Sequence, residues 1–341
     1  MYKELRDLIF ELAKKPGTAG DEHAASHAAL EKLSRYMPAT LDALGNVRGG
    51  LAGPGAHIML EAHIDQIGLI VTRVDENGFV MFEACGGADT RVLEAHEVTV
   101  WGKSPLFGVV VTLPPHLSKK EDAAKAKDMS DLAIDTGLPS GQAMALIRPG
   151  DRITLNGGHR ALAGNRICGP ALDDRIGVAA VLRCLELLKE KPHDCRLSVV
   201  FSVQEETGGS GAAAGGYSAQ ADEALVVDVS FASAPDIPKE KSAELGKGPM
   251  PGIAPSLDTT MWERLLEIAD RHRIPAQVEV MGGGTGTDAD KIQNAGAGIR
   301  AALISIPLRN MHTAVEIADL TDVENAAVLM AQYIAERGKN A

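Results

Sequence analysis

The spacing of apolar residues divides the chain into three stretches of different character. Over MYKELRDLIFELAKK, Leu5, Leu8, Ile9 and Leu12 recur at helical intervals among charged residues, which predicts an amphipathic helix over 2–15 and not a signal peptide. A second helix is expected at 21–35, after Pro16-Gly17-Thr18-Ala19-Gly20, with Asp21 as its N-cap. Short strands follow at 40–44, 46–51 and 57–62. From 66 to 165 the pattern becomes IGLIVTRV, GFVMFEA, EVTVWG, PLFGVVVTL and DRITL, short β runs punctuated by Gly, Pro and Asn. Only the charged segment SKKEDAAKAKDMSDLAI reads there as a helix of ten residues or more.

After Gly169, helices and strands alternate. Helices are predicted at 174–189, after the glycine-rich turn that follows Val203, and at 257–272, 288–294 and 321–336. Strands are predicted at 196–203, 224–229, 276–281 and 299–306. Such alternation signals an α/β sheet with helices on both faces. The expected fold is therefore α/β, a mixed sheet flanked by helices, made of residues 1–65 and 166–341. Residues 66–165 are expected to form an inserted, small β-barrel-like domain. A sequential split near 165 is the alternative, but it would leave the N-terminal helices and strands as a fragment without a core.

Composition narrows the function. A length of 341 residues corresponds to roughly two domains. A formal charge of −12 argues against a nucleic-acid partner, because phosphate backbones demand basic patches. An aromatic content of 4% leaves few platforms for bases or sugars. No apolar run approaches the ~20 residues of a membrane span. Cys85, Cys168, Cys184 and Cys195 form no CxxC pair and read as reduced, mostly buried thiols of a cytoplasmic protein.

Candidate chemistry lies at the ends of the apolar runs, where open α/β sheets bind ligands. IMLEAHID sets His63 and Asp65 after one strand, and CGPALDDRIG sets Asp173 and Asp174 before a helix. SVVFSVQEE ends in Glu205 and Glu206, ALVVDVS carries Asp228, and ISIPLRNMHTAVE places His312 in the loop after a strand. Each alone reads more readily as a solvated turn residue or a structural histidine. Together they form a set of His and Asp/Glu donors of the kind that zinc, manganese or cobalt accepts. Cations there would also relieve the repulsion between the adjacent Glu205 and Glu206.

The chain resembles the tetrahedral (TET-type) aminopeptidases, cytosolic co-catalytic metallopeptidases sometimes labelled glutamyl aminopeptidase or endoglucanase-like. The likeness spans nearly the whole length. It runs through PGTAGDE, DALGN, EAHIDQIG, RPGD, ALDDRIG, VQEE, VVDV, LGKGP, TDAD and RNMHTAVE, in that order. It implies an aminopeptidase/phosphorylase-like fold and two divalent metal ions per subunit, zinc first, with cobalt or manganese possible. Asp173 would bridge the pair, His63 and Asp228 would complete one ion, and Glu206 and His312 the other. Glu205 would be the general base and Asp65 would orient His63, and the Asp173–Asp174 peptide is often cis in such enzymes. The resemblance further implies short peptide substrates and a homo-oligomer, a dimer formed through the inserted domain and building to a dodecamer. Asn310, Ala19 and Gly169 stand where relatives often carry Tyr, Ser and Lys. The loop GGGTGTDAD lacks the Lys-Ser/Thr ending of a phosphate loop and reads as a pocket-side loop.

Three other readings differ in what they require. A glycoside hydrolase needs two carboxylates about 5–9.5 Å apart across a sugar, which neighbours in sequence do not supply. An amidohydrolase of N-acylated amino acids or small peptides would use the same metal ligands. A non-catalytic module would be signalled by a missing ligand, and the full set is present.

Overall fold

The computed structural model describes residues 2–114, 126–235 and 237–338. Helices α1 (Lys3–Ala13) and α2 (His23–Leu33) open the chain, followed by β1 (Ala39–Leu41), β2 (Val47–Leu51) and β3 (His57–His63). Six strands come next: β4 (Gly68–Val74), β5 (Val80–Cys85), β6 (Glu97–Trp101), β7 (Pro105–Val111), β8 (Ala133–Asp135) and β9 (Arg152–Leu155). They close into a barrel in the order β4-β5-β8-β7-β6-β9, with the short helices α3 (Thr90–Leu93) and α4 (Ser140–Leu146) beside it. Closure leaves these antiparallel strands no free edge. Leu69, Val71, Val98, Val100, Ile134 and Ile153 fill the interior.

The chain returns through β10 (Arg160–Ala161) and β11 (Arg166–Gly169) to α5 (Leu172–Leu188), β12 (Arg196–Ser202), α6 (Ser210–Ala219) and β13 (Glu223–Phe231). It continues with β14 (Met250–Ile253), α7 (Thr259–His272), β15 (Glu279–Val280), α8 (Ala289–Ile292), β16 (Arg300–Arg309), β17 (Glu316–Asp319) and α9 (Leu320–Arg337). Eleven strands make one mixed sheet, ordered β1-β2-β12-β3-β13-β16-β17-β11-β10, with β14 on β16 and β15 on β14. Its centre, β12-β3-β13-β16, is parallel. Central parallel strands are covered on both faces, so they read as continuous apolar runs. Ile58, Leu60 and Ala62 of β3 face a core shared with α1, α5, α7 and α9, while Met59 faces the smaller layer under α6 and α8. Each fully buried Leu or Ile contributes about 1.5–3 kcal/mol to this packing.

Two departures from the sequence reading have local causes. The helix expected at SKKEDAAKAKDMSDLAI does not form in its described part: Met129–Asp131 is a 3-10 turn and β8 follows, because Ile134 pairs with Val80 and Val110 inside the barrel. Residues 118–125 of that segment lie outside the described residues. The strand expected at 276–281 shrinks to the two residues of β15.

Candidate metal centre

The site opens where the sheet splits. β3 and β13 pair in parallel only as far as Glu61 and Val226, although both strands run on. His63 ends β3 and Asp228 lies within β13, not at its end as the apolar pattern implied. They face each other where the ladder has stopped, with His63 Nε2 3.8 Å from Asp228 Oδ1. Asp173 and Asp174 sit in the first turn of α5 with non-helical backbone angles, joined by a cis peptide. Gln204 takes a positive φ of 61° between β12 and the Glu205–Glu206 pair. Asn310 and His312 do the same after β16, at 55° and 63°. Non-glycine residues in this left-handed region are uncommon and cluster at functional sites.

Asp173 links the two histidines. Its Oδ1 lies 3.0 Å from His63 Nε2 and its Oδ2 3.3 Å from His312 Nε2. Glu206 Oε2 stands 3.4 Å from the same His312 nitrogen. Two groups of potential ligands result, His63–Asp174–Asp228 and Asp173–Glu206–His312, and within each the ligand atoms lie within 4.8 Å of one another. Asp65 supports both sides: its oxygens accept the backbone N–H groups of Glu205 and Glu206 at 3.0 and 3.1 Å, and its Oδ1 is 3.4 Å from His63 Nδ1. Glu205 itself lines the cavity.

So many buried carboxylates cannot all be charged unaided. Burial raises Glu206, Asp228 and Asp174 well above the usual carboxylate range, and neighbouring acids add to each shift. Burial likewise pushes Glu205 up to about 7. It would also raise Asp173, but contacts with His312 and His63 outweigh burial and hold that group low. Burial opposes charge on His63, yet Asp173 and Asp65 raise it well above its ordinary value. Glu206 Oε1 and Asp174 Oδ2 are buried without a hydrogen-bond donor. Excess anionic oxygens, unpaired lone pairs and two imidazoles fit divalent cations of the zinc, cobalt or manganese type.

The sequence reading assigned no role to several residues that hold this arrangement. Glu316 is buried, with Oε2 accepting the N–H groups of Leu172 and Asp173 at 2.7 and 3.2 Å and Oε1 accepting that of His312 at 2.9 Å. One carboxylate thus ties together two of the segments that carry candidate ligands, those of Asp173 and His312; its only sequence signal is its place four residues after His312. Asp174 accepts the Gly177 N–H at 3.0 Å, and a Cβ on Gly177 would come within 2.1 Å of Asp174 Oδ2, so only glycine fits. Asp288 and Glu61 flank the Ser202 hydroxyl behind the site, all three buried. At Gly169, a Cβ would lie 2.4 Å from the His159 ring, so a larger residue would displace that histidine. We expect Glu316→Ala to weaken metal retention by about 10–100-fold, the usual cost of losing a group that orients ligands. A metal titration on the folded variant reads this, and unchanged affinity would remove Glu316 from the site.

A cavity of about 750 Å³ opens on these groups, with Thr285, Gly286 and Thr287 of the glycine-rich loop in its wall. Residues 45–329 match the M42 glutamyl aminopeptidase family. The chain is 32% identical over 338 residues to the lysyl aminopeptidase of Pyrococcus furiosus, covering 97% of this chain and 96% of that protein. The TET aminopeptidase of the Thaumarchaeota archaeon SCGC AB-539-E09 superposes with a TM-score of 0.93 at 28% identity, covering 99% of this chain and 98% of the other. The Pyrococcus horikoshii TET1 peptidase, which can assemble into a tetrahedron or a large octahedral shell, superposes at 0.86 with 28% identity over 97% of this chain and 99% of the other.

Proposed function

This chain belongs to the M42 glutamyl aminopeptidase family and is a TET-type, metal-dependent aminopeptidase; from that premise we propose how its residues divide the work. Two divalent cations, zinc first and cobalt or manganese with the same donors, would be held by His63, Asp173 and Asp228 on one side and by Asp173, Glu206 and His312 on the other. Such a pair lowers the pKa of water and polarises a peptide carbonyl. The observation that carries this reading is Asp173, whose two oxygens each face a different histidine. Asp174 stands against the first group and serves either as a further ligand or as its support.

Glu205 is the general base. It takes a proton from the attacking water and passes it to the leaving nitrogen, so the new amine departs neutral. Asp65 fixes the backbone of both glutamates, which lets Glu206 turn to His312 while Glu205 faces the cavity. Short peptides enter that cavity amino end first.

We divide the chain into a catalytic unit, 1–65 with 166–341, and an inserted unit, 66–165, through which subunits dimerise on the way to a TET-like dodecamer. Phe107 on β7 and Leu113 beyond it expose 58% and 54% of their surface, apolar area that suits a partner subunit. No helix among the described residues is long and apolar enough to cross a membrane. The four free cysteines suit a reducing compartment, the cytoplasm.

Matched peptides with free and acetylated N-termini test the reaction class. The metal-loaded protein is expected to release the first residue from free-amine peptides at least about 100-fold faster, the discrimination a site gains when a competitor lacks a charged partner. A preference for the acetylated series would instead make the enzyme an amidohydrolase with the same ligands.

A further inference from the structure

We propose that the cavity reads the first side chain of the peptide as a cation, and that Glu279 is the residue that reads it. This rests on the aminopeptidase function above and concerns which residue is removed.

Glu279 lies on the edge strand β15 and lines the cavity. Both of its oxygens are held: Oε1 accepts the Ser230 hydroxyl at 2.5 Å and Oε2 accepts the Ser305 hydroxyl at 2.7 Å. Each oxygen keeps a further lone pair for an outside donor, so the carboxylate is fixed in orientation but not saturated. Its distance from the chemistry follows from register. Ser305 is the direct partner of Asp228 across the β13–β16 pair, and Ser230 lies two residues beyond Asp228 on the same face. Those steps amount to ~4.8 Å between strands and ~6.6 Å along one. A side chain whose Cα adjoins the scissile carbonyl can span that interval.

The walls between are apolar and adaptable. Met250, the register partner of Ser305 on β14, lines the cavity together with Met281 and Val280. Flexible thioethers pack well along a four-carbon stem that ends in an ammonium group. The other charges in the lining, apart from the metal centre, are Glu240 and Lys241, neighbours on an exposed turn. They offset each other and are screened by solvent. Among the described lining residues Lys241 is the one Lys or Arg, so a glutamate side chain would meet the fixed anion of Glu279 without a fixed cation to answer it. The glutamyl preference in the family's description therefore does not transfer to this chain, whereas lysine and arginine fit.

The test is kcat/KM on Lys-, Arg-, Leu- and Glu-p-nitroanilides for the metal-loaded wild type, Glu279→Gln and Glu240→Gln. The wild type is expected to favour Lys and Arg over Glu by about 100-fold or more. Glu279→Gln is expected to reduce the Lys-to-Leu ratio by about 10–100-fold, chiefly through KM, the range for losing a charge-assisted hydrogen bond. Glu240→Gln should move that ratio by less than about threefold, as expected of a solvated charge. An equal loss on all four substrates in Glu279→Gln would overturn the proposal, because Glu279 would then hold the α-ammonium group or only the fold. So would a wild-type preference for Glu. Cleavage of Leu-p-nitroanilide with either result leaves the aminopeptidase function standing, and cleavage of none of the four, with acetylated peptides hydrolysed, overturns both.

Discussion

Glu205→Gln is expected to lower kcat/KM by about 10²–10⁴-fold, the contribution of a positioned general base, while the protein keeps its fold and its metal. The amide is isosteric but cannot accept a proton. The backbone N–H of residue 205 still meets Asp65, so the turn that presents Glu206 stays in place. Glu206→Gln is the contrasting variant: it removes an anionic oxygen beside His312 and should lose metal together with activity. Parallel metal analysis separates the two roles, and equal metal loss in both variants would make Glu205 a ligand. The pH profile gives a second check. Burial pushes Glu205 up to about 7, and only its ionised form can act as base, so activity should be lost as pH falls through that group's pKa. Bound cations stabilise the ionised form, which places the acid limb at or below 7. The residual activity of Glu205→Gln should lack that limb.

The glutamate pair also shows how much of the site was legible beforehand. Adjacent like charges after the apolar run of β12 make little sense unless something positive sits beside them, and the structure brings Glu206, His312, Asp173 and His63 together there. Strand-end logic worked because the sheet is parallel at its centre, so β3 and β12 deliver their following residues to the same edge. It failed in detail at Asp228. The run ALVVDVSF gives no sign that β13 leaves β3 after Val226 and continues along β16 alone, and that divergence makes room for an acid in mid-strand. Glu316 was illegible for a different reason. Its partners are backbone N–H groups, which no side-chain pattern reports, and two of them lie more than 140 residues earlier in the chain. Helix expectations held where an apolar stripe repeats at helical spacing, as in α1, whose Leu5, Ile9 and Leu12 are buried. Periodicity gave less guidance in the barrel, where closure with distant strands makes β8 from three residues after an alanine- and lysine-rich run.

Removing the metal is expected to make stability strongly pH-dependent, with the metal-free protein losing ground as pH rises from about 5 to 8. The sign follows from linkage. Glu206, Asp228 and Asp174 have folded-state pKa values raised well above their ordinary ones, Glu205 and Glu22 are raised to about 7, and Asp288 to about 6. The native state therefore holds protons that the unfolded chain releases in the usual carboxylate range. The stability so gained is fully present below that range and is lost as pH climbs through the raised values. Asp173 has the opposite sign, being held low, and its contribution is present above the ordinary carboxylate range and is lost as pH falls from there toward its lowered value. Cations supply the compensating charge in place of protons, so the loaded protein should be much less sensitive over the same interval. Saturating metal at ~1,000 times its dissociation constant adds about 4 kcal/mol, which corresponds to roughly 6 °C in Tm for a chain of this size. Melting curves of stripped and reloaded protein at pH 5.5, 6.5 and 8 measure the difference, which should widen with each step. Proton competition at the ligands would widen the same gap through metal affinity alone, so the decisive curve is that of the stripped protein. If its Tm does not fall with pH, these carboxylates are not the groups that the metals neutralise.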